Sequence, residues 1–439
     1  MIILEKNKLP EGWTSFRYDE YLTLHYGKGL TKRTRNSHGK IPVYGSSGMI
    51  GYHDEPLVSN SSLIIGRKGN VGEIYYEENP SWAIDTAYFL SEYPMYDLKF
   101  LYFLLKHMKL NRLNTSTAVP SLRRDDVYKS QMLLPPLNEQ KRIVKKIEEL
   151  YLKTESILKL LYDIKSQLMF NRKSLLNSAF NGLLTKKWRE RNSKTESISI
   201  LLKQINPTWE KLTKKILENS KKIPNTWEYV KIDDIAELVG GGTPSRKNLE
   251  YFGGKITWLT PTEIPRDKIT FVNSSKETIT ELGLKKSSAK IIPKNSVLLT
   301  SRATIGNIAI STADVTTNQG FASFVCSKII DNRYLAYWLF ANRKLLQDTA
   351  KGTTFKEISK SKIKELFLPL APLIEQKLIT EIVDEEISLI EKNENTIEQS
   401  IKLISAFKSS ILKQAFEGKL VSQDPGDESV EILLEKIKS

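Results

Sequence analysis

The chain has 439 residues, 40% of them hydrophobic, and carries 66 Lys and Arg against 51 Asp and Glu, a net charge of +15. That length allows two to four domains with ordinary cores, and the charge points to a polyanionic partner. A single cysteine, Cys326, excludes an internal disulfide framework and a Cys-based zinc cluster, and His25, His38, His53 and His107 show no ligand spacing, so no structural metal is expected. Met1-Ile2-Ile3-Leu4-Glu5-Lys6 is charged too early for a signal peptide, and the most apolar stretch, residues 100–105, is far below membrane-spanning length. A cytoplasmic location is expected.

Residues 1–137 read as a mixed domain. Short β-like runs such as Ser62-Leu63-Ile64-Ile65 and Gly72-Glu73-Ile74-Tyr75-Tyr76 are separated by Gly, Asn and Pro turns, and the domain ends at Pro135-Pro136. Residues 138–182 then place Ile143, Ile147, Leu150, Thr154, Ile157, Leu161, Ile164, Leu168, Asn171 and Leu175 at alternating steps of four and three. That pattern predicts a heptad seam on a helix roughly 60 Å long, which needs a partner helix. Residues 183–222 form a basic connector with 11 basic against 4 acidic residues. This segment either touches phosphates or is a solvated link.

A second domain follows at residues 223–373. Residues 374–418 form a second long helix with Ile379, Val383, Ile390, Ile397, Ile404 and Ile411 in register, interrupted by Glu386, Asn393 and Ser400. Residues 419–439 read as a tail with a turn and a short helix. The first helix segment has nine basic and five acidic residues, and the second five and nine. This complementarity favours pairing with each other, acting on orientation more than on stability. The alternative is that each helix packs only on its own domain.

Three motifs occur twice. Leu9-Pro10-Glu11-Gly12-Trp13 returns 214 residues later as Ile223-Pro224-Asn225-Thr226-Trp227. Leu137-Asn138-Glu139-Gln140-Lys141 returns as Leu373-Ile374-Glu375-Gln376-Lys377, and the run from Ser174 to Gly182 as that from Ser410 to Gly418, both at an offset of 236. The period is a whole domain plus a helix, so the chain is a tandem duplication rather than a solenoid.

Together with Gly240-Gly241-Gly242-Thr243-Pro244-Ser245 and Lys255-Ile256-Thr257-Trp258-Leu259-Thr260-Pro261, these repeats make the chain resemble the specificity subunits of type I restriction-modification systems. In the first copy the pattern stands as Ile41 to Gly48, Ile65-Gly66-Arg67-Lys68-Gly69 and Asp85-Thr86-Ala87-Tyr88, and in the second as Thr300 to Gly306 and Thr317-Asn318-Gln319-Gly320. The resemblance implies an α+β fold. Two tandem mixed α/β target-recognition domains would be separated by two long antiparallel helices, with pseudo-two-fold symmetry. It also implies that each domain reads one half of an asymmetric, bipartite double-stranded DNA target. Two methyltransferase subunits and the motor and nuclease subunits would be partners. The chain itself would hold no cofactor, with S-adenosylmethionine, ATP and Mg on those partners.

The expected DNA-contacting residues are polar loop positions. Arg67, Lys68 and Arg302 suit guanine N7 and O6 or a phosphate, beside glycines that allow close backbone approach. Ser46, Ser47, Thr243 and Ser245 suit phosphates, Asn318 and Gln319 suit adenine, and Arg246 and Thr304 are further DNA-contacting candidates. Thr117, Arg123 and Arg124 are matched with Lys351, Thr353, Thr354 and Lys356. Phe180, Asn181, Phe416 and Glu417, at the distal ends of the helices, are expected to dock partners.

Catalysis within the chain lacks sequence support. An adenine methyltransferase needs Asn or Asp before Pro-Pro and an aromatic, whereas Asn79-Pro80-Ser81-Trp82 and Asn206-Pro207-Thr208-Trp209 each have one proline. There is no Gly-x-x-x-x-Gly-Lys-Ser/Thr sequence for ATP. Two alternatives remain: a module acting with a type II-like fused methyltransferase and nuclease, and a coiled-coil scaffold that binds only proteins. The first would show methyl transfer or cleavage, and the second no dependence on DNA.

Overall fold

The computed structural model describes residues 9–114, 120–193, 196–205, 207, 209–213, 222–350 and 356–438. Residues 1–6, Asn206, Thr208, and the loop candidates Thr117, Lys351, Thr353 and Thr354 lie outside the described residues. The chain divides into two compact units, residues 1–163 with 397–439, and residues 164–396. Each unit therefore contains the start of one long helix and the end of the other.

The first unit begins with β1 (Thr14–Arg17), β2 (His25–Tyr26), β3 (Ile41–Gly45), β4 (Gly48–His53) and β5 (Ser62–Gly66), followed by β6 (Ile74–Glu77), β7 (Trp82–Ala83), β8 (Ala87–Leu90) and β9 (Gln131–Leu134). They form three small sheets, β1-β9, β2-β8-β5-β6 and β4-β3-β7. The central strand β5 is buried at every position, as its unbroken apolar run requires. Helix α1 (Leu98–Met108) starts where the Asp97 carboxylate accepts from the Phe100 N–H at 3.0 Å. It buries Phe100, Leu101, Leu104 and Leu105 in the core of this unit. A short helix, α2 (Arg124–Tyr128), leads to β9, and α3 (Leu137–Phe180) follows.

The second unit repeats this order. Its strands are β10 (Glu228–Lys231), β11 (Ala236–Gly240), β12 (Phe252–Leu259), β13 (Thr270–Val272), β14 (Glu277–Ile279), β15 (Val297–Thr300), β16 (Ile308–Ser311), β17 (Thr316–Thr317), β18 (Phe321–Cys326) and β19 (Phe367–Leu370). They pair as β10-β19, β11-β18-β15-β16-β13 and β14-β12-β17, which is the first unit's topology with β13 added at an edge. Helix α4 (Asn332–Ala341) is capped by Asp331 as α1 is by Asp97. Then come α5 (Lys360–Lys364) and the long α6 (Leu373–Phe416).

The repeated motifs are the joints between domain and helix. Trp13 Nε1 donates to Glu139 at 3.1 Å, and Trp227 Nε1 to Glu375 at 2.8 Å. Gln140 donates to the carbonyls of Met95 and Pro135 and accepts from the Asp97 N–H, at 2.8 to 2.9 Å. Gln376 does the same with Ile329, Ala371 and Asp331, at 2.8 Å. Each amide thus satisfies three backbone groups and fixes the helix start against its domain. The glycines closing the long helices, Gly182 at φ +78° and Gly418 at φ +68°, adopt the left-handed cap conformation. A Cβ on Gly418 would lie 2.2 Å from Pro10, and one on Gly182 2.4 Å from Pro224. Within each unit, therefore, the end of one long helix is seated on the Leu/Ile-Pro start of the domain.

The long helices pair antiparallel. In the first unit Ile143 and Ile147 share a core with Ile411, Ala415 and Phe416, and Lys408 meets Glu155 at 3.5 Å. In the second, Leu176 and Phe180 share a core with Ile379 and Val383, and Arg172 meets Glu394 at 3.0 Å. Along both helices alternate seam positions hold and the others slip by one residue; in α6, Glu386 and Asn393 are exposed while Ile387 and Glu394 are half-buried. Ile157 is 49% and Ile164 37% exposed, while Leu158, Lys165 and Arg172 turn inward. A helix that keeps close to 3.6 residues per turn drifts by ~20° per heptad, so over this length the buried stripe departs from a strict heptad seam.

The segments flanking these helices are packed too. Ile198 and Leu202 of the connector lie in the second unit's core, where Thr185 donates to Glu375 at 2.6 Å. The tail contributes Val430 to the first unit's core, and Arg142 grips Asp427 through two hydrogen bonds of 3.1 and 2.6 Å.

Candidate DNA interface

In the first unit, the turn after β5 gathers most of the expected residues. The Arg67 N–H donates to the Thr86 carbonyl at 2.9 Å, and its own carbonyl accepts from Leu122 N–H at 2.8 Å. Ser46 N–H approaches Thr86 Oγ1 at 3.4 Å, Ser47 is exposed in the β3–β4 turn, and Lys68 is exposed beside Ser121. Arg123 is exposed just before α2, and Arg124 begins that helix. Close to Arg67 and Arg124 lies Tyr26, at the end of β2 and 51% exposed. The Arg67 guanidinium carbon is 5.4 Å from the Tyr26 ring centre and that of Arg124 5.2 Å. Arg67 is held by donating Nε and Nη2 to the Asp85 carbonyl, at 3.0 and 2.6 Å. Under it, burial pushes the Tyr88 hydroxyl up to about 12, so this ring stays neutral and donates to the Leu122 carbonyl. Gly27 is required by space, since a Cβ there would lie 2.1 Å from the Ile84 carbonyl oxygen.

The second unit builds the same turn from different residues. Ser301 N–H donates to the Gly320 carbonyl and its carbonyl accepts from Ile358 N–H, at 2.8 and 3.0 Å. Arg302 thus takes the place of Lys68, bridging to Glu357 as Lys68 does to Ser121. Ala303, at φ +60°, stands where the first unit has Gly69 at +82°. Thr304 lies in the turn, its N–H 2.7 Å from the Arg302 carbonyl. Gly241 approaches Asn318 as Gly27 approaches Ile84, with 2.0 Å from an added Cβ to the carbonyl oxygen.

Two expectations for this unit are altered by local partners. The Asn318 Oδ1 accepts from Gly320 N–H at 2.9 Å, and the Gln319 Oε1 accepts from the Thr243 hydroxyl. The Asn318 amide oxygen is therefore engaged within its own loop, and that of Gln319 ties its loop to the triple-glycine loop. Arg246 gives Nη1 and Nη2 to Glu277 at 2.6 and 2.7 Å and lies over Phe252. That hydrogen-bonded pair holds the Glu277 carboxyl below its ordinary range. Ser245 remains exposed in the loop after the triple glycine.

The model of the type I restriction modification DNA specificity domain matches residues 10–166 and again 224–403. The chain belongs to that family. Its duplicated halves and loop clusters are thus those of a type I specificity subunit. Among relatives, the MjaIX specificity subunit of Methanocaldococcus jannaschii is 39% identical over 42% of this chain and 43% of its own length, so that alignment spans less than half of either. The EcoDI specificity subunit of Escherichia coli is 24% identical over 99% of this chain and 97% of its own. A chain from a solved type I system, whose complex assembly and conformational transition that structure addresses, superposes with TM-score 0.69 at 17% identity over 94% of this chain and 99% of its own. The HsdS subunit of Thermoanaerobacter tengcongensis gives 0.54 at 18% identity over 94% and 98%.

In this specificity subunit the helix ends do not offer the expected aromatic docking residues. Phe180 and Phe416 are 8% and 2% exposed, packed edge-on against Tyr334 and Phe100. Asn181 and Glu417 beside them are half-buried, and Glu417 is paired with Lys419 at 2.8 Å. The repeat of Ala-Phe-x-Gly reflects the seat of each helix end on a domain. Tyr26 and Lys360 were not among the sequence candidates. The offset of 214, carried forward from the paired tryptophans, would have set Tyr26 on Gly240, and the offset of 236, carried back from the Glu-Gln pairs, Arg124 on Lys360.

Proposed function

We propose that this specificity subunit is non-catalytic and that each unit reads one half of an asymmetric bipartite target in double-stranded DNA. The observation that carries this reading is the loop cluster built twice on one topology with different side chains. Arg67, Lys68, Arg123 and Arg124 on one side, and Ser245, Arg302 and Thr304 on the other, present donors from turns that rigid strands hold in place. Such donors suit phosphate positioning and base-edge readout. Different side chains on the same frame would read different half-sites, hence a non-palindromic motif.

Methyltransferase subunits would supply S-adenosylmethionine and the methyl-transfer chemistry, and motor and nuclease subunits ATP hydrolysis and cleavage. Their docking is better served by the mid-length of the long helices than by the ends. Leu152, Leu160, Leu403 and Phe407 are exposed in the first unit, and Met169, Phe170 and Leu389 in the second.

The test is to express the chain with and without a methyltransferase subunit of a type I system from the same host and to map methylated adenines in the DNA of the expressing cells. The expected result is methylation at a two-part asymmetric motif by the complex and none by the chain alone. Methyl transfer by the chain alone, or a complex whose methylation ignores DNA sequence, would contradict the proposal.

A further inference from the structure

Backbone pairing sets two constellations on the same spot of the two units. Tyr26 pairs with Tyr88 and Gly240 with Ala322, while Tyr88 and Ala322 face Ile65 and Leu299 on the neighbouring central strands. Arg67 and Ser301 follow those central strands with matching backbone hydrogen bonds, and Arg124 and Lys360 are the first residues of α2 and α5. So Tyr26, Arg67 and Arg124 in one unit correspond to Gly240, Ser301 and Lys360 in the other.

The two sets solve the same space differently. In the first unit an exposed ring fills it, with two guanidinium groups close to it. The Arg124 carbon also lies 5.5 Å from the Tyr128 ring, and its Nε is buried without a protein partner. In the second unit the ring is missing, and a Cβ added to Gly240 would fall 1.8 Å from Lys360 Nζ. The lysine occupies the place of the tyrosine.

Resting on the reading that each unit contacts duplex DNA, we infer that these triads are specificity-determining. Arg124, braced on Tyr26, reads a guanine in the half-site of the first unit, and Lys360 makes a different contact at the matching place in the second. A planar guanidinium stacked on aromatic rings is pre-organised for bidentate donation to guanine O6 and N7, whereas an ammonium is a point donor without that geometry.

The test uses the purified complex of the full chain with its methyltransferase subunits and duplexes in which each base pair of the mapped motif is changed in turn. Binding is read by fluorescence anisotropy across a salt series. The wild type is expected to prefer guanine at one position of the half-site assigned to residues 9–137 by about 5- to 150-fold. Arg124→Lys and Tyr26→Ala should reduce that preference severalfold, leaving the other half-site and the assembly seen by size exclusion unchanged. Lys360→Ala should alter discrimination only in the other half-site. Unchanged preferences in Arg124→Lys would overturn the inference. So would an even loss across all duplexes with a salt slope smaller by about one, the signature of a phosphate contact. A wild-type complex that distinguishes no duplexes would overturn the underlying DNA reading instead, and this inference with it.

Discussion

The joint and the loop end of each unit have diverged to very different degrees. At the joints, Trp13, Glu139 and Gln140 make nearly the bonds of Trp227, Glu375 and Gln376, to backbone groups at equivalent places. At the loops, the same backbone turn carries Arg67-Lys68-Gly69 in one unit and Ser301-Arg302-Ala303 in the other. The duplicated chemistry is the support, and the diverged chemistry is the surface offered to a partner.

The largest effect should come from breaking a joint. Phe416→Ala removes a ring packed on Phe100 and His107, and should cost the first unit ~3–5 kcal/mol by denaturant unfolding. A variant of unchanged stability that fails to assemble would restore Phe416 to a docking role. Gln376→Ala strands the Asp331 N–H and two carbonyls that Gln376 now satisfies. The expected loss is ~2–4 kcal/mol, with Gln140→Ala similar, because each orphaned buried group costs ~1–3 kcal/mol before relaxation. A much smaller loss at one site would show that the joints are not equivalent.

Smaller changes sharpen the contrast at the loops. Ala303 holds a left-handed backbone that its counterpart Gly69 adopts without a Cβ, so Ala303→Gly should raise stability by ~1 kcal/mol in thermal unfolding. A loss would mean that the Ala303 methyl packs usefully. The mildest effect concerns the tail. The Arg142 hydrogen bond depresses the Asp427 carboxyl, so its contribution is complete above the unfolded carboxylate range near ~3.9 and is lost as pH falls through the lower folded value. Glu139, raised chiefly by burial, acts with the opposite sign. Amide protection factors over residues 420–436, referred to the intrinsic exchange rate at each pH, should therefore hold at neutral pH and fall only in acid, and Asp427→Asn should lower them at neutral pH.

Much of this was legible in the sequence because a joint needs fixed residue types. Trp, Glu, Gln and a closing Gly recur wherever the same bonds are made, and the α+β class and the pairing of α3 with α6 follow from these repeats and the apolar spacing. The loop site was legible in part. Arg67, Lys68, Arg123 and Arg124 converge, but nothing in their spacing shows that Tyr26, about forty residues before Arg67 and about a hundred before Arg124, lies against both. Nor could the sequence show that Asn318 is engaged within its own loop and Gln319 with Thr243 of another, or that Phe180 and Phe416 face inward. Polar and aromatic types mark both sites and supports, and only the fold separates them.

The most direct measurement is to replace residues 9–137 with the corresponding segment of a relative, keeping both long helices, and to map the adenines methylated by the assembled complex. The expected result is a motif in which one half changes while the other half and the gap stay as before. A complex that still assembles and methylates the original motif, or in which both halves change, would contradict it.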